Sequence, residues 1–345
     1  MTARFRRALH AIVLCLIATS AQAADRPDYR DFTAAAYLPF LNAGEGPRLR
    51  TPAIGISFPD GRMHTATLDT GSTGVVVAAS MIPGFERLRS RGEGRLTYTS
   101  SGRVMLGRWV LTPLTLHGRD GATARIERMP VLAVTRVACL RQARNCTPSD
   151  APRNIAMVGI GFGREADAQA QSTPDKNPFL HLAHEGRAYR PGYVLTPHGA
   201  HVGLTEANTR GEFRFRKLAH NEANGDWQQI PACLRVDDHV PAACGTLLMD
   251  TGVTTMYLTL PSTQARGGRT LPPGARLAVD LGTAGDATPL YEFRAGARGE
   301  RMAPDAIVLK VDDRKPPFVN TTVHFLAGYD YLYDFDGGYV GFRRH

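Results

Sequence analysis

The chain has 345 residues, of which 43% are hydrophobic and 21% charged, and its formal net charge is +9. This ordinary globular composition excludes a disordered or collagen-like chain, and the length allows one large domain or two lobes. The arginines that dominate the positive charge are scattered and accompany no nucleic-acid-binding motif, so we expect a solvated basic surface and no nucleic acid as a partner.

The first 23 residues have the pattern of a secretory signal peptide. Arg4, Arg6 and Arg7 precede an apolar run over 8–17, and Ala21-Gln22-Ala23 supplies a small-residue cleavage site. The run is shorter than the ~20 apolar residues that span a bilayer, so we expect cleavage and no stable membrane insertion. The predicted mature protein is exported, periplasmic or secreted, and without the three arginines its formal charge falls from +9 to +6.

Most of the remaining sequence predicts short β-strands separated by Gly, Pro, Asn and Asp. The predicted strands include 53–58, 65–68, 74–78, 104–116, 212–216 and 339–343. Two short segments, 177–185 and 261–265, have a helical pattern, while the polar stretch 165–176 is predicted to be a surface loop. This distribution predicts a mostly β protein.

Four cysteines remain after the predicted signal, and an even number in an exported chain indicates disulfide bonds. Three pairings are possible. We favour Cys139 with Cys146 and Cys233 with Cys244, because the two members of each pair are close in sequence and close a short loop. The cysteine spacing suits no zinc ribbon, and the histidines have no metal-ligand spacing, so no metal site is expected.

An internal repeat organises the chain. Residues 67–73 read TLDTGST and residues 248–254 read LMDTGVT. Each copy is followed by an apolar element that ends in glycine, Met157-Val158-Gly159 after the first and Leu326-Ala327-Gly328 after the second. Two diverged copies of one unit predict two lobes, which we place at 24–195 and 196–345.

The repeat also carries potential chemistry. Asp69 and Asp250 each follow an apolar strand in a turn that a glycine permits, so each carboxyl is placed where solvation is poor. If the copies face each other across a pseudo-twofold axis, two such close carboxylates cannot both ionise, and they share one proton. The ionised member can then take a proton from water while the protonated member polarises a carbonyl. This chemistry hydrolyses an amide without a metal or a covalent intermediate.

The two Asp-Thr-Gly motifs with their downstream apolar elements resemble those of the pepsin-like, two-lobe aspartic proteases. The protein would then be a bacterial, exported member of that family. The C-terminal run 325–342 resembles the closing strands of that family, and the sequence separation of 181 positions between the two aspartates suits a single chain rather than a dimer of half-size subunits. The resemblance implies a bilobal fold with a cleft between pseudo-symmetric β lobes. It also implies a monomeric endopeptidase that cleaves peptide or protein substrates and needs no cofactor.

The resemblance implies roles for the motif residues. Asp69 and Asp250 would be the catalytic pair. Thr70 and Thr251 would lock the two loops by crossed hydrogen bonds. Gly71 and Gly252 would let the backbone approach the carboxylates, and Ser72 would donate a hydrogen bond to Asp69. The segment 96–102 resembles the flap of the family, in which Tyr98 would close over the substrate.

Two departures from the family pattern change what we expect of the pH optimum and of the maturation of the protein. Val253 stands where most members carry Ser or Thr, so we expect Asp250 to lack a hydroxyl donor, to have a raised pKa and to give a less acidic pH optimum than a digestive pepsin has. Only 24–50 lies between the predicted signal and the first strand, which predicts synthesis without a zymogen stage. The alternative function is a catalytically inactive protein of the same fold that binds a ligand or acts like an inhibitor.

Overall fold

The structure is a computed structural model that describes residues 26–44, 48–143, 146–167, 169–265, 270–282, 289–297 and 299–345. The predicted signal peptide lies outside these residues. Strands account for 44% of the described residues and helical turns for 9%, so the protein is mostly β, as predicted.

Twenty-two strands and one short α-helix, α1 (Ser262–Ala265), are present in the described part of the chain. The strands are β1 (Ala36–Pro39), β2 (Ala53–Ser57), β3 (His64–Asp69), β4 (Thr73–Ala78), β5 (Ser90–Tyr98), β6 (Arg103–His117), β7 (Thr123–Cys139), β8 (Ala156–Ile160), β9 (Gly192–Leu195), β10 (Gly199–Val202), β11 (Arg214–Lys217), β12 (His220–Asn221), β13 (Asp226–Trp227), β14 (Ile230–Val236), β15 (Ala243–Leu248), β16 (Thr255–Leu260), β17 (Arg276–Asp280), β18 (Tyr291–Arg294), β19 (Ala306–Val311), β20 (Phe318–Asn320), β21 (Tyr329–Asp334) and β22 (Tyr339–Arg344). The predicted strands and the helix at 261–265 all have counterparts, which differ by one or two residues at their ends.

Each half of the chain contributes a seven-stranded sheet. The first sheet has the order β2-β3-β8-β4-β7-β6-β5, and the second has the order β18-β17-β14-β15-β20-β16-β19. In the first, β4 lies between β8 and β7, and every one of its residues is buried. Its sequence TGVVVA suits this place, because β-branched side chains pack well where both faces of a sheet are covered.

A third sheet joins the two halves. It has six strands in the order β1-β10-β9-β21-β22-β11, so it combines the start, the middle and the end of the chain. The predicted lobe boundary at residues 195 and 196 falls between β9 and β10, which pair with each other in this sheet. Tyr193, Tyr331 and Tyr333 fill its core. The shared sheet therefore belongs to neither predicted lobe alone.

The helix predicted over 177–185 is wrong. The structure has a 3-10 turn at Pro178–Leu180, which Asn177 caps by accepting a hydrogen bond from the Phe179 amide. Leu182 then bridges to Ile126 on β7. Backbone hydrogen bonds on either side of this bridge hold the segment against β7, so its apolar residues are buried without the internal hydrogen bonds of a helix.

The prediction of a surface loop over 165–176 is wrong for part of the segment. Within the segment, Gln169 and Ser172 are buried beside the first Asp-Thr-Gly turn, as is Arg164 directly before it. Gln171 holds the segment to the first sheet, because its Oε1 accepts from the Arg95 amide at 2.8 Å and from the Trp109 indole at 3.1 Å. These polar side chains bond with buried backbone instead of facing solvent.

Candidate active site

The two Asp-Thr-Gly turns lie at the ends of buried strands, next to parallel neighbours. In the first half, β3 ends at Asp69, which pairs with Gly159 on β8. In the second half, β15 runs parallel to β20, and Leu248 pairs with Asn320. Each turn thus follows a strand that has a parallel neighbour, and the two turns meet at the junction of the lobes.

Crossed hydrogen bonds tie the two turns together. The Thr251 amide donates to Thr70 Oγ1 at 2.9 Å, and the Thr70 amide donates to Thr251 Oγ1 at 3.1 Å. Each hydroxyl then donates to a backbone carbonyl of the opposite half, Thr70 to Met249 and Thr251 to Leu68 at 2.8 Å. Because every bond crosses between the halves, the relative position of the two turns is set by both lobes.

The two glycines of the turns bring the carboxylates together. A Cβ added to Gly71 would lie 2.5 Å from Asp250 Oδ2, and one added to Gly252 would lie 2.5 Å from Asp69 Oδ1. Any side chain at either position would collide with the carboxylate of the opposite lobe. The backbone of each turn therefore contacts the aspartate of the other, as a pseudo-twofold arrangement requires.

Each carboxylate has two hydrogen-bond donors. Asp69 accepts from the Gly71 amide at 2.7 Å and from the Ser72 hydroxyl at 2.5 Å. Asp250 accepts from the Gly252 amide at 2.8 Å. Its outer oxygen accepts from Asn320 Nδ2 at 2.6 Å. The sequence correctly indicates the absence of a hydroxyl at Val253, but it does not reveal that Asn320 supplies the second donor.

Burial and like charge perturb the pair. Burial, and after it the charge of Asp69, raise the pKa of Asp250 from 3.8 to about 7, against the opposing effects of Asn320 and the Arg164 guanidinium. A carboxyl with such a pKa keeps its proton in mildly acidic solution while its partner can ionise. The site can therefore present a general acid and a general base together.

Tyr98 lies beside the first carboxylate. It ends β5, and a tight turn, in which the Gly102 amide donates to the Tyr98 carbonyl at 2.8 Å, leads into β6. The Tyr98 hydroxyl is buried near the Ser72 side chain, but among the described residues it has no hydrogen-bond partner of standard geometry. Burial and, secondarily, the charge of Asp69 raise its pKa, which places the ring close to the pair. The hairpin predicted over 96–102 thus brings a polar group with free hydrogen-bonding capacity to the site.

Arg164 and Gln169 are site residues that the sequence analysis missed. Arg164 Nε donates to the Gly71 carbonyl at 2.8 Å, and Gln169 Nε2 approaches the same oxygen at 3.4 Å. The guanidinium also pairs with Asp167 at 2.7 Å. The one available signal was a charged residue directly after the apolar run 155–163, at a point where the chain leaves the core.

The second apolar element of the repeat was assigned to the wrong residues. Leu326 and Ala327 lie in a 3-10 turn, Val323–Ala327, which Gly328 follows. The strand beside the second Asp-Thr-Gly turn is β20, and the position that matches Gly159 in register is Thr322, with φ of 71°. The apolar-apolar-glycine pattern does not identify this element, because its position that matches Gly159 is a threonine.

Both disulfide pairs expected from the sequence are present. Cys139 and Cys146 are bonded at the end of β7, and Cys233 and Cys244 join the paired strands β14 and β15. In the described part of the chain, no group of three or more His, Cys, Asp or Glu side chains could hold a metal ion. Among the same residues, no helix is long and apolar enough to cross a membrane.

No protein-family model and no curated protein match this sequence. Among solved structures, the chain is similar to the aspartic proteinase from Irpex lacteus, with a TM-score of 0.54 and 13% sequence identity. The similarity covers 90% of this chain and 97% of the other. At so low an identity the likeness is one of fold. We conclude that the chain has the mostly β, two-lobe fold of the pepsin-like aspartic proteinases.

Proposed function

We propose that this protein is an exported aspartic-type endopeptidase that hydrolyses peptide bonds with a water molecule activated between Asp69 and Asp250. The observation that supports this function best is the buried, pseudo-symmetric carboxylate pair at the lobe junction, in which each carboxylate has two donors. The raised pKa of Asp250 supplies the unequal protonation that general acid and base chemistry needs.

The reaction follows from the protonation of the pair. The ionised carboxylate removes a proton from water as the water oxygen attacks the peptide carbonyl carbon, and the protonated carboxyl gives its proton to the carbonyl oxygen. A tetrahedral diol forms, and the pair again holds one proton. The C–N bond then breaks as the nitrogen receives this proton and one diol hydroxyl gives its proton back to the pair, so the products are a carboxylic acid and an amine and the pair again holds one proton. No covalent enzyme intermediate is formed.

The substrate is an extended peptide segment that lies between the flap hairpin, β5 and β6, and the two aspartates. The Tyr98 hydroxyl has no partner within the described residues, so it is available to a substrate or to the activated water. Extended peptides bind such clefts through backbone hydrogen bonds, with side-chain pockets that add specificity. Action as a monomer is part of the proposal. Its exported location is supported by the two disulfides and by the signal pattern of the first 23 residues.

The experiment that tests this function is cleavage of a diverse peptide library by the mature protein from about pH 3 to pH 8. Asp69→Asn and Asp250→Asn should each abolish cleavage, and a statine-type inhibitor should block the wild type. Asp60→Asn is the matched control, because it changes an exposed carboxyl in the turn between β2 and β3 and should leave cleavage intact.

Each result of this experiment has a clear meaning. Cleavage that survives either aspartate substitution would contradict the two-carboxylate mechanism. No cleavage by a folded protein that binds the inhibitor would indicate a formed cleft with a very narrow substrate range. No cleavage and no inhibitor binding would favour the alternative, a catalytically inactive binding protein with this fold.

A further inference from the structure

The two carboxylates receive their outer hydrogen bonds from different places in the fold. Ser72, three residues after Asp69, donates to that residue's outer oxygen at 2.5 Å. The same position after Asp250 is Val253, which has no donor. The outer oxygen of Asp250 instead receives Asn320 Nδ2 at 2.6 Å, and only 5% of the Asn320 surface is exposed.

Strand register shows that this is an exchange between the lobes. Thr67, two residues before Asp69, pairs with Met157, whereas Leu248, two residues before Asp250, pairs with Asn320. The first lobe thus combines a hydroxyl in the turn with an apolar side chain on the neighbouring strand. The second lobe combines an apolar side chain in the turn with an amide on that strand, so each outer oxygen keeps one donor.

The local backbone fixes which end of the Asn320 amide meets the carboxylate. Asn320 Oδ1 accepts from the Thr322 amide at 3.1 Å, so Nδ2 is the end directed at Asp250. Thr322 is fully buried with φ of 71°, a conformation that a threonine keeps only when its surroundings enforce it. A hydroxyl can either donate or accept, but an amide nitrogen can only donate, so Asp250 always meets a donor here.

We propose that Asn320 is a positioning residue of the carboxylate pair, whose amide replaces the hydroxyl that Val253 lacks. The inference rests on the proposed function, because it assigns Asn320 to that same site. Asn320 acts through Asp250: it orients the carboxylate toward Asp69 and favours its ionised form. Two charged groups also act on Asp250. The charge of Asp69 opposes its ionisation, and the Arg164 guanidinium favours it.

Asn320→Ser is the principal variant. A serine hydroxyl can still accept from the Thr322 amide within the turn, but it is too short to reach Asp250. Asn320→Asp keeps the size and the acceptor and replaces the amide donor with an ionisable carboxyl. Val253→Ser, alone and combined with Asn320→Ser, returns a hydroxyl to the position that Ser72 occupies in the first lobe.

The measurement is a carbon NMR titration of the aspartate carboxyls, which needs only folded protein, together with the pH profile of kcat/KM. Loss of a hydrogen bond to a charged group should move the Asp250 transition upward by about one to two pH units in Asn320→Ser. Asn320→Asp should move it further, because a carboxyl replaces the donor. The double variant should return it toward the wild-type position, whereas a purely structural role would change only the melting temperature.

The outcomes separate this inference from the proposed function. An unmoved transition in folded Asn320→Ser, or in folded Asn320→Asp if the serine variant does not fold, would overturn the role of Asn320. Failure of Val253→Ser to restore the transition would overturn the replacement of one donor by the other. If the wild type cleaves no peptide but the titration shifts as expected, the inference stands and the proposed function fails.

Discussion

At the scale of single residues, Asp250 is placed where catalysis and stability oppose each other. Its pKa in the folded protein is about 7, against an ordinary value of 3.8. Between these values the folded protein binds more protons than the unfolded chain, so the free energy of unfolding falls as pH rises through this window and falls no further above it. The buried carboxylate of Asp250 therefore lowers the stability of the folded protein at neutral pH, although the proposed chemistry requires it.

Asp250→Asn should remove this dependence. We expect the free energy of unfolding to fall less between about pH 4 and 7 in the variant than in the wild type. The difference in the total fall across this window should be on the order of a few kcal/mol. If the new amide side chain also changes stability independently of pH, it changes the free energy of unfolding by the same amount at every pH and leaves the slope unaffected. Denaturant unfolding at several pH values measures the slope, and a variant whose slope equals that of the wild type would show that Asp250 titrates normally.

Arg164 should set the upper pH limit of activity. Its guanidinium lowers the pKa of Asp250, so Arg164→Met should raise that pKa and move the descending limb of the kcat/KM profile to higher pH. Gln169→Leu removes a neutral donor to the same Gly71 carbonyl and leaves the charge in place. An equal displacement of the limb in both variants would mean that the hydrogen bond, rather than the charge, is responsible.

At the scale of elements, the flap hairpin is supported by the disulfide loop. The Leu140 amide donates to the Gly102 carbonyl at 2.8 Å, so the loop that begins at Cys139 lies against the turn after Tyr98. Gly102 has φ of 73°, and an added Cβ would lie 2.4 Å from Ala143 Cβ. The turn therefore needs glycine for both its conformation and its contact.

Gly102→Ala should displace the flap. We expect a loss of stability of about 1–3 kcal/mol and a several-fold rise in KM, because the hairpin must move away from Ala143. Gly121→Ala is the matched control, since Gly121 has φ of 77° in the turn between β6 and β7 and no atom lies within 4 Å of its added Cβ. Thermal unfolding and peptide kinetics test this, and equal KM values in the two variants would count against a role of the turn in substrate binding.

At the scale of the whole molecule, Thr70 and Thr251 couple the two lobes. Each threonine both donates and accepts across the lobe junction, so Thr70→Val or Thr251→Val should cost about 1–3 kcal/mol. Because the two side chains share bonds, the double variant should cost less than the sum of the single ones. Thr73→Val is the control, since Thr73 bonds Gly161 within the first lobe. Additive costs in denaturant unfolding would indicate that the threonines act independently.

The sequence by itself determined the mostly β class and the repeat, and it singled out the two Asp-Thr-Gly turns that the structure brings together. It favoured, among three possible pairings of the cysteines, the one that the structure contains. These features depend on local patterns, because alternation, turn residues and short loops are read from neighbouring positions. The helix expected over 177–185 failed for the same reason: the bridge between Leu182 and Ile126 holds the segment against β7, which lies far away along the chain.

Only the tertiary structure decided which residues complete the site. Asn320 is 70 residues from Asp250 in sequence, and Arg164 is 93 residues from Gly71. The only local mark is the charge of Arg164 after an apolar run, since an asparagine before two threonines and an arginine after a glycine are otherwise ordinary sequences. Parallel pairing of β15 with β20 and the return of the chain past the first turn bring them to the carboxylates. Strand pairing over such distances is a property of the folded chain, and it determines here what each aspartate contacts.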